Sequence, residues 1–238
     1  MSTDISALKV MKTAPKANTD LQTLLQSVPY KVLLSMEDQT ERRASAITQL
    51  EDLYLDVEWK VPVKIEDIDW RPVPPIFKQA PRYASHAVTM IEMFDEALRR
   101  GVDTFMHIED DVIFHPDALA ALPQILVPRD WKFIYFGGRS WGPRQHISKG
   151  LVRSGFIYDL HAVIMRTEMV ELMRKTLLDP EIDCHWCDAR IASLHKEHPT
   201  YLCRPNLAWQ AFHCDDSGDG IPKSNYFADG SVMPGQGD

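Results

Sequence analysis

Three consecutive acidic residues, Glu109, Asp110 and Asp111, give the strongest chemical signal in the sequence. They follow the apolar residues 104–108, and apolar residues resume at Val112. Acids at the carboxyl end of a strand lie where open α/β sheets bind ligands. Because adjacent anions repel one another, we expect a compensating cation. Mg²⁺ or Mn²⁺, which takes carboxylate and phosphate oxygens as ligands, is the economical choice. The plain alternative is a solvated acidic turn.

The elements that must position these acids alternate along the chain as in an α/β protein. Apolar runs predict strands over residues 30–36, 56–65, 104–108, 112–114, 133–136 and 201–202, with a further apolar segment over 155–166. Helices are predicted over residues 38–54, 82–101, 116–126, 167–178 and 188–194. We therefore expect a mostly parallel central sheet flanked by helices. One domain should span residues 30–216, after a leader over 1–29 and before a flexible tail over 217–238.

Composition excludes several classes of protein. The 238 residues include 45% apolar and 25% charged residues, which is typical of globular chains and unlike disordered or fibrous ones. The formal net charge of −8 argues against general coating of nucleic acid. No apolar run approaches the roughly 18 to 20 residues that span a bilayer, and no signal-peptide core is visible. With only four cysteines, free thiols and a cytoplasmic location are expected.

Six segments, in this order, resemble family 25 glycosyltransferases, the lipopolysaccharide-type galactosyltransferases. They are VLLSMEDQTERR, YASHAVTMIEMFDEALRRGVDTFMHIEDDVIF, DWKFIYFGG, RSGFIYDLHAVIM, EIDCHWCDARIASL and RPNLAWQ. The positions similar to that family's motifs are Arg42, Ser85, His86, Glu109, Asp110, Asp111, Gly155, Tyr158 and Ala162. The resemblance covers about residues 30–212. The chain departs from the pattern in its proline-rich loop over 70–81 and in its cysteine-rich late segment.

The resemblance implies a GT-A fold and a metal-dependent hexosyltransferase. The donor would be a UDP-sugar such as UDP-galactose, the cofactor Mn²⁺ or Mg²⁺, and the acceptor a hydroxyl of a glycan or lipid-linked saccharide. It further implies an inverting reaction and a role in lipopolysaccharide biosynthesis, with peripheral membrane association possible. A metal that bridges both phosphates would neutralise the charge developing on the leaving diphosphate.

Candidate metal ligands follow from that expectation. Asp111 is the first choice, and Asp110 either shares the metal or holds the donor's ribose or sugar. Glu109 could instead have a structural role at the strand end. Many GT-A enzymes bring a late histidine or aspartate to the metal, which points to His213, with Asp215 and Asp216 competing for the role; a solvent-facing or core histidine is the alternative.

Inversion needs a base that takes the proton of the acceptor hydroxyl. Asp188 lies near a predicted helix N-terminus, where GT-A enzymes often carry their catalytic acid residue, and equally it could cap that helix. Asp183 is the spare candidate.

The donor-binding candidates are Arg42 with Arg43, Ser85 with His86, and Gly138 with Gly137. The arginines would meet the diphosphate or base, although one of them is expected to be merely solvated. Ser85 and His86 would contact the donor or brace the acidic strand. The glycines permit close backbone approach, or they simply end a strand. The basic loop over residues 139–153 would close over phosphates or serve as a linker.

Three other interpretations stay open. Cys184 and Cys187 have C-x-x-C spacing, but the second such pair of a zinc site is missing, which favours buried free thiols. Nucleotidyl transfer can use a similar sheet, but it normally needs a glycine-rich first loop, and SMEDQTERR lacks glycine. A binding module that keeps the fold without turnover is the non-catalytic alternative.

Overall fold

The computed structural model describes residues 19–211. Its α-helices are α1 (Leu21–Ser27), α2 (Thr40–Asp52), α3 (Pro81–Arg100), α4 (Ala118–Ala121), α5 (Val170–Leu177) and α6 (Cys187–Ala192). Its strands are β1 (Thr19–Asp20), β2 (Tyr30–Leu34), β3 (Glu58–Lys60), β4 (Thr104–Glu109), β5 (Val112–Phe114), β6 (Leu126–Val127), β7 (Phe133–Tyr135), β8 (Arg144–Ser148), β9 (Leu151–Ser154), β10 (Ala162–Arg166), β11 (Thr200–Cys203) and β12 (Ala208–Gln210). Short 3₁₀ helices occupy Ile65–Asp67, Pro75–Gln79, Leu122–Gln124 and Thr167–Met169.

An eight-stranded sheet in the order β3-β2-β4-β10-β7-β11-β9-β8 forms the centre of the described structure. The pairs β2–β3, β2–β4 and β7–β11 are parallel. The pairs β4–β10, β7–β10, β9–β11 and β8–β9 are antiparallel. The sheet is therefore mixed, and the expectation of a mostly parallel sheet is wrong.

The connections explain this difference. Helices α2 and α3 lie between the parallel neighbours β2, β3 and β4, as crossover connections require. No helix lies between β7 and β10 in the described chain, so the polypeptide returns beside β7 in the opposite direction. The basic segment expected to be a loop or linker contains the hairpin β8–β9 instead, which turns at Gly150 with a φ of 75°.

The helices cover both faces of the sheet. Residues of α1, α2 and α4 pack with Met106 and Ile108 of β4 in one apolar cluster. Residues of α3, α5 and α6 pack with Phe105 of the same strand in a second cluster. Because side chains alternate along a strand, β4 supplies both layers, and it is buried on both faces.

The packed structure begins upstream of residue 30. The side chains of Leu21, Leu24 and Leu25 in α1 are buried in the first cluster, and β1 pairs with β6. Asp20 caps α1, since its carboxylate accepts a hydrogen bond from Thr23 N at 2.8 Å. Residues 19–29 therefore do not belong to a leader outside the domain, because their apolar side chains complete the core.

The end of α3 and the end of β4 match the sequence prediction closely. Gly101 ends α3 in the left-handed region with a φ of 64°, a conformation that glycine adopts without steric cost. Strand β4 ends at Glu109, so the acidic residues do lie at a carboxyl edge. Within residues 19–211, no helix is both long and apolar enough to cross a bilayer.

Candidate functional site

The acidic turn is tied to the strands on both sides of β4. Glu109 N donates to the carbonyl of His161 at 3.0 Å, and Asp110 N donates to Leu34 O at 3.1 Å. Ala211 N donates to Asp111 O at 2.7 Å, next to the pairing of β12 with β5. The three carboxylates are thereby held in place by backbone contacts at the middle of the sheet edge.

Two cavities open at this edge, with volumes of about 710 Å³ and about 660 Å³. The first cavity is lined by the apolar residues Met36, Pro62, Val63 and Ile65 and by the cationic residues Arg42, Lys64 and Arg82. Ser85 and the three acids line it as well. The second cavity is lined by Arg139, Trp141, Tyr158, Asp159, Trp186, Asp188 and Gln210, among others. Arg82, Tyr83, His86 and Glu109 line both cavities, so the two meet at the end of β4.

Arg42 of α2 pairs with two of the acids. Its Nη2 lies 2.6 Å from Asp110 Oδ1 and 3.4 Å from Asp111 Oδ2. Burial, together with the charges of Glu109 and Asp110, raises the pKa of Asp111 to about 7, and Arg42 opposes the shift. Asp111 Oδ1 is buried without a hydrogen-bond partner in the described chain. These two carboxylates therefore already face one cation.

Glu109 faces two histidines instead. His107 Nε2 lies 3.4 Å and His86 Nε2 lies 3.5 Å from Glu109 Oε1. The two imidazole rings stack with centroids 5.7 Å apart. One potential ligand atom from each of these three side chains lies within 4.8 Å of the others, and no other such cluster occurs within residues 19–211. The arrangement could hold a metal ion.

The charges in this cluster depend on one another. Burial favours the neutral form of Glu109, but the hydrogen bond from His107 and the positive charge of the neighbouring imidazoles outweigh it and lower the Glu109 pKa to about 2. Burial in turn lowers the pKa of His86, against the attraction of Glu109. The two histidines therefore favour the ionised form of Glu109 in spite of its burial.

Asp188 lies in the first turn of α6 and lines the second cavity. Its oxygens accept hydrogen bonds from Ala189 N at 2.7 Å and Asp159 N at 3.4 Å. Burial raises the pKa of Asp188 in spite of these donors. The residue that caps α6 is Trp186, so Asp188 is not the cap itself. A half-buried carboxylate that faces a cavity and holds its proton more strongly than usual is suited to proton transfer.

Ser85 and Gly138 make contacts within the protein. Ser85 Oγ donates to the carbonyl of Val63 at 2.6 Å, which braces the wall of the first cavity. Gly138 has a φ of 152°, and a Cβ there would lie 2.5 Å from Tyr158 O. The close approach at Gly138 is therefore to the chain's own backbone, and Gly138 lines neither cavity.

Some candidates from the sequence do not line either cavity, and others lie outside the described residues. His213, Asp215 and Asp216 lie outside the described residues. Asp183 is exposed and lines neither cavity. Arg43 stacks on Trp59, 3.9 Å from the ring centroid, and donates to Met36 O at 2.8 Å. The Cys187 thiol is buried and directed at Tyr83 O at 3.4 Å, and Cys184 and Cys187 form no disulfide.

Other groups at the site were missed by the sequence analysis. His107 precedes Glu109 by two residues on β4, and that spacing places both on one face of the strand, so the signal was present. Trp141 and Trp186 keep 63% and 49% of their surface exposed while lining the second cavity. Asp159 pairs with Arg139 at 2.7 Å, and both line the same cavity. The exposure of these aromatic residues could not be read from their spacing.

No family model matches the chain, and neither does any curated protein. Among solved structures, the chain is similar to A197 from STIV, with a TM-score of 0.42 and 13% identity over 75% of this chain and 82% of that one. It is also similar to a glycosyltransferase involved in the glycosylation of the major capsid of PBCV-1, with a TM-score of 0.35 and 10% identity over 60% of this chain and 63% of that one. Both likenesses are distant, and neither carries an argument about activity.

Proposed function

We propose that this protein is a metal-dependent glycosyltransferase that moves a sugar from a nucleotide-sugar donor to a hydroxyl of a saccharide acceptor. One observation carries the proposal: the acidic end of β4 lies at the junction of two cavities, and Glu109 and His86 line both. A transferase must hold two substrates with their reacting atoms adjacent. A sheet edge shared by two cavities meets that requirement.

The first cavity suits a nucleoside diphosphate. Its volume of about 710 Å³ is within the usual range for ligand sites. Met36, Val63 and Ile65 offer apolar surface for a base, whereas Lys64 and Arg82 offer positive charge for phosphates. The resemblance to family 25 makes UDP-galactose the first donor to test, within a GT-A-like arrangement.

A divalent ion fits the groups at the junction. Asp111 Oδ1 is buried and lacks a hydrogen-bond partner among the described residues, and His86, His107 and Glu109 present ligand atoms nearby. Either set is chemically able to hold a divalent cation. When bound, such an ion would neutralise charge on the departing diphosphate.

The second cavity suits the acceptor. Asp188 lies at its wall with a raised pKa, so this carboxylate is a fitting base for the acceptor hydroxyl. Trp141 and Trp186 present exposed rings beside it, and aromatic rings with a polar edge suit a partly wet ligand such as a sugar. A glycan or lipid-linked saccharide is accordingly the expected acceptor class.

Donor hydrolysis and thermal unfolding test the proposal. We expect UDP-sugars to raise the unfolding temperature in the presence of Mn²⁺ and to be hydrolysed slowly, with both effects lost in EDTA. Asp188→Asn should keep donor stabilisation and lose transfer, whereas the exposed Asp183→Asn should change neither. Stabilisation by a nucleotide sugar that is never consumed, with any saccharide supplied, would indicate a binding module instead.

A further inference from the structure

We infer that His86, His107 and Glu109 form the binding site for one transition-metal ion, of the Zn²⁺, Mn²⁺ or Co²⁺ class, at the junction of the first and second cavities. The role of this ion in sugar transfer rests on the proposed function, whereas its binding does not. The inference departs from the sequence expectation, which assigned the metal to Asp110, Asp111 and His213.

The distances between the side chains support a common ligand centre. Both imidazole Nε2 atoms face the same oxygen, Glu109 Oε1, at 3.4 Å and 3.5 Å. These separations are long for hydrogen bonds between such groups. They are close to the spacing of about 3.3 Å between tetrahedral ligands that each lie about 2.0–2.1 Å from a zinc ion.

Burial makes the cluster unusual without an ion. The Nε2 of His86 is buried and has no hydrogen-bond partner within residues 19–211, and the His107 side chain beside it is fully buried. Buried polar atoms normally have a partner. A cation between the imidazoles and Glu109 would give Nε2 of His86 its missing partner and compensate the carboxylate.

The positions of the ligands in the fold favour a preorganised site. Glu109 and His107 lie two residues apart on one face of β4, and His86 extends from α3, which packs on that face. Gln210 Nε2 approaches the other oxygen of Glu109 at 3.4 Å, and such outer contacts orient ligands. Because Glu109 and His86 also line both cavities, a substrate oxygen could reach an ion held there.

Ligand chemistry selects the class of ion. Two imidazoles and one carboxylate suit Zn²⁺, Mn²⁺, Fe²⁺ or Co²⁺, whereas Mg²⁺ and Ca²⁺ prefer an all-oxygen set. Asp110 and Asp111 offer oxygens alone, and Arg42 already pairs with both of them at 2.6 Å and 3.4 Å. The carboxylate without an arginine partner is Glu109, and it is the one that faces the two histidines.

Metal binding by the 238-residue chain tests the inference without any assay of activity. The protein is stripped with EDTA, dialysed, and titrated with Co²⁺, Zn²⁺, Mn²⁺ and Mg²⁺ while heat and, for Co²⁺, visible absorption are recorded. We expect one site per chain for the three transition metals, a Co²⁺ spectrum typical of nitrogen ligands, and at least about tenfold weaker binding of Mg²⁺.

Matched variants identify the ligands. Glu109→Gln and His86→Gln should each weaken Zn²⁺ binding by about tenfold or more, whereas Asp111→Asn and the exposed His146→Gln should stay within about threefold of the unchanged protein. Unfolding curves of the metal-free variants check that each still folds. Equal loss in Asp111→Asn and Glu109→Gln, or Mg²⁺ binding as tight as Zn²⁺, would overturn the inference.

The outcomes also separate this inference from the proposed function. Stoichiometric Zn²⁺ or Mn²⁺ binding that depends on Glu109 and His86, without turnover of any nucleotide sugar, would support the site and count against a glycosyltransferase. Sugar transfer that persists in EDTA, with no Co²⁺ or Zn²⁺ binding, would support a glycosyltransferase that needs no metal, and it would overturn the metal site.

Discussion

Arg42 Nη2 lies 2.6 Å from Oδ1 of Asp110, so a side chain of helix α2 neutralises a carboxylate at the end of strand β4. The same guanidinium nitrogen lies 3.4 Å from Asp111. Arg42 also lines the first cavity and is nearly half exposed there. It is therefore placed between the acidic turn and any anionic ligand, and it can bind either.

Replacement of Arg42 tests that position. We predict that Arg42→Met weakens binding of a UDP-sugar about tenfold, because a hydrogen bond to a charged group contributes roughly 1.5–3 kcal/mol. Arg42→Lys should retain part of the affinity, since it keeps the charge without the planar fork. Titration of the donor, followed by thermal unfolding in Mn²⁺, measures both variants. Unchanged affinity in Arg42→Met would mean that the donor does not bind in the first cavity.

Asp188 should be required for transfer and unfavourable for stability. Its folded pKa is raised by burial, so ionisation costs stability as the pH rises from its ordinary range through the folded value. We predict that Asp188→Asn lowers the transfer rate at least about 100-fold and raises the unfolding temperature at pH 7. Asp183→Asn is the matched control. A loss of stability in Asp188→Asn would contradict the burial argument.

The exposed rings of the second cavity should act on the acceptor alone. We predict that Trp141→Ala and Trp186→Ala each raise the acceptor KM by roughly two- to tenfold, in line with about 0.5–1.5 kcal/mol for an aromatic contact. Donor hydrolysis without acceptor should not change. Tyr54, which is 72% exposed and lines neither cavity, supplies the control variant Tyr54→Ala. Equal effects of all three substitutions would exclude an aromatic acceptor site.

His195 should make the protein sensitive to acid. Its Nδ1 accepts a hydrogen bond from Ile157 N at 3.2 Å and its Nε2 lies 3.1 Å from the hydroxyl of Tyr135, and burial lowers its pKa to about 3. Between about pH 6.5 and pH 3, His195 binds a proton in the unfolded chain but not in the folded chain. The free energy of unfolding therefore falls as the pH falls.

His195 should lower the free energy of unfolding by about 1.4 kcal/mol for each pH unit of acidification between about pH 6.5 and pH 3. Urea unfolding at pH 7, 6 and 5 should show this slope, and His195→Gln should flatten it while it lowers stability at pH 7. A variant that keeps the full slope would assign the acid sensitivity to other groups. His146→Gln, altered at an exposed histidine, should retain the slope.

Two glycines give contrasting predictions. A Cβ on Gly137 would lie 1.8 Å from Ala208 O, whereas a Cβ on Gly155 would meet only Lys196 Cα at 3.8 Å. Gly137→Ala should therefore cost about 3 kcal/mol of unfolding free energy, because backbone on both sides would have to move. Gly155→Ala should change it by about 0.5 kcal/mol or less. Denaturant unfolding compares them, and equal costs would contradict the close approach of β12 to the end of β7.

Local patterns predicted the elements nearest to the acidic turn well. The apolar run before Glu109 and the helix predicted over residues 82–101 both correspond to observed elements. The hairpin β8–β9 was missed because its strands are short and polar on one face, without a continuous apolar run. Helix α1 was placed in the leader over residues 1–29, although its buried residues Leu21, Leu24 and Leu25 share one face.

The candidate site was predictable only in part, since burial decides the chemistry of each group. The sequence placed Glu109, Asp110 and Asp111 together but could not distinguish them, because their partners come from other elements. Arg42 reaches two of them from α2, and His86 reaches the third from α3. The sequence reading of Glu109 as structural missed this difference.

The sequence by itself determined the positions of the acidic turn, of Arg42 and of Asp188, since local patterning places strand ends and helix starts. Only the tertiary structure decided that Glu109 meets two histidines, that two cavities join beside it, and that the sheet is mixed. The physical reason is common to all three results. Strand pairing and helix packing join residues far apart in the chain, and the contacts that result set burial and charge, which no local pattern records.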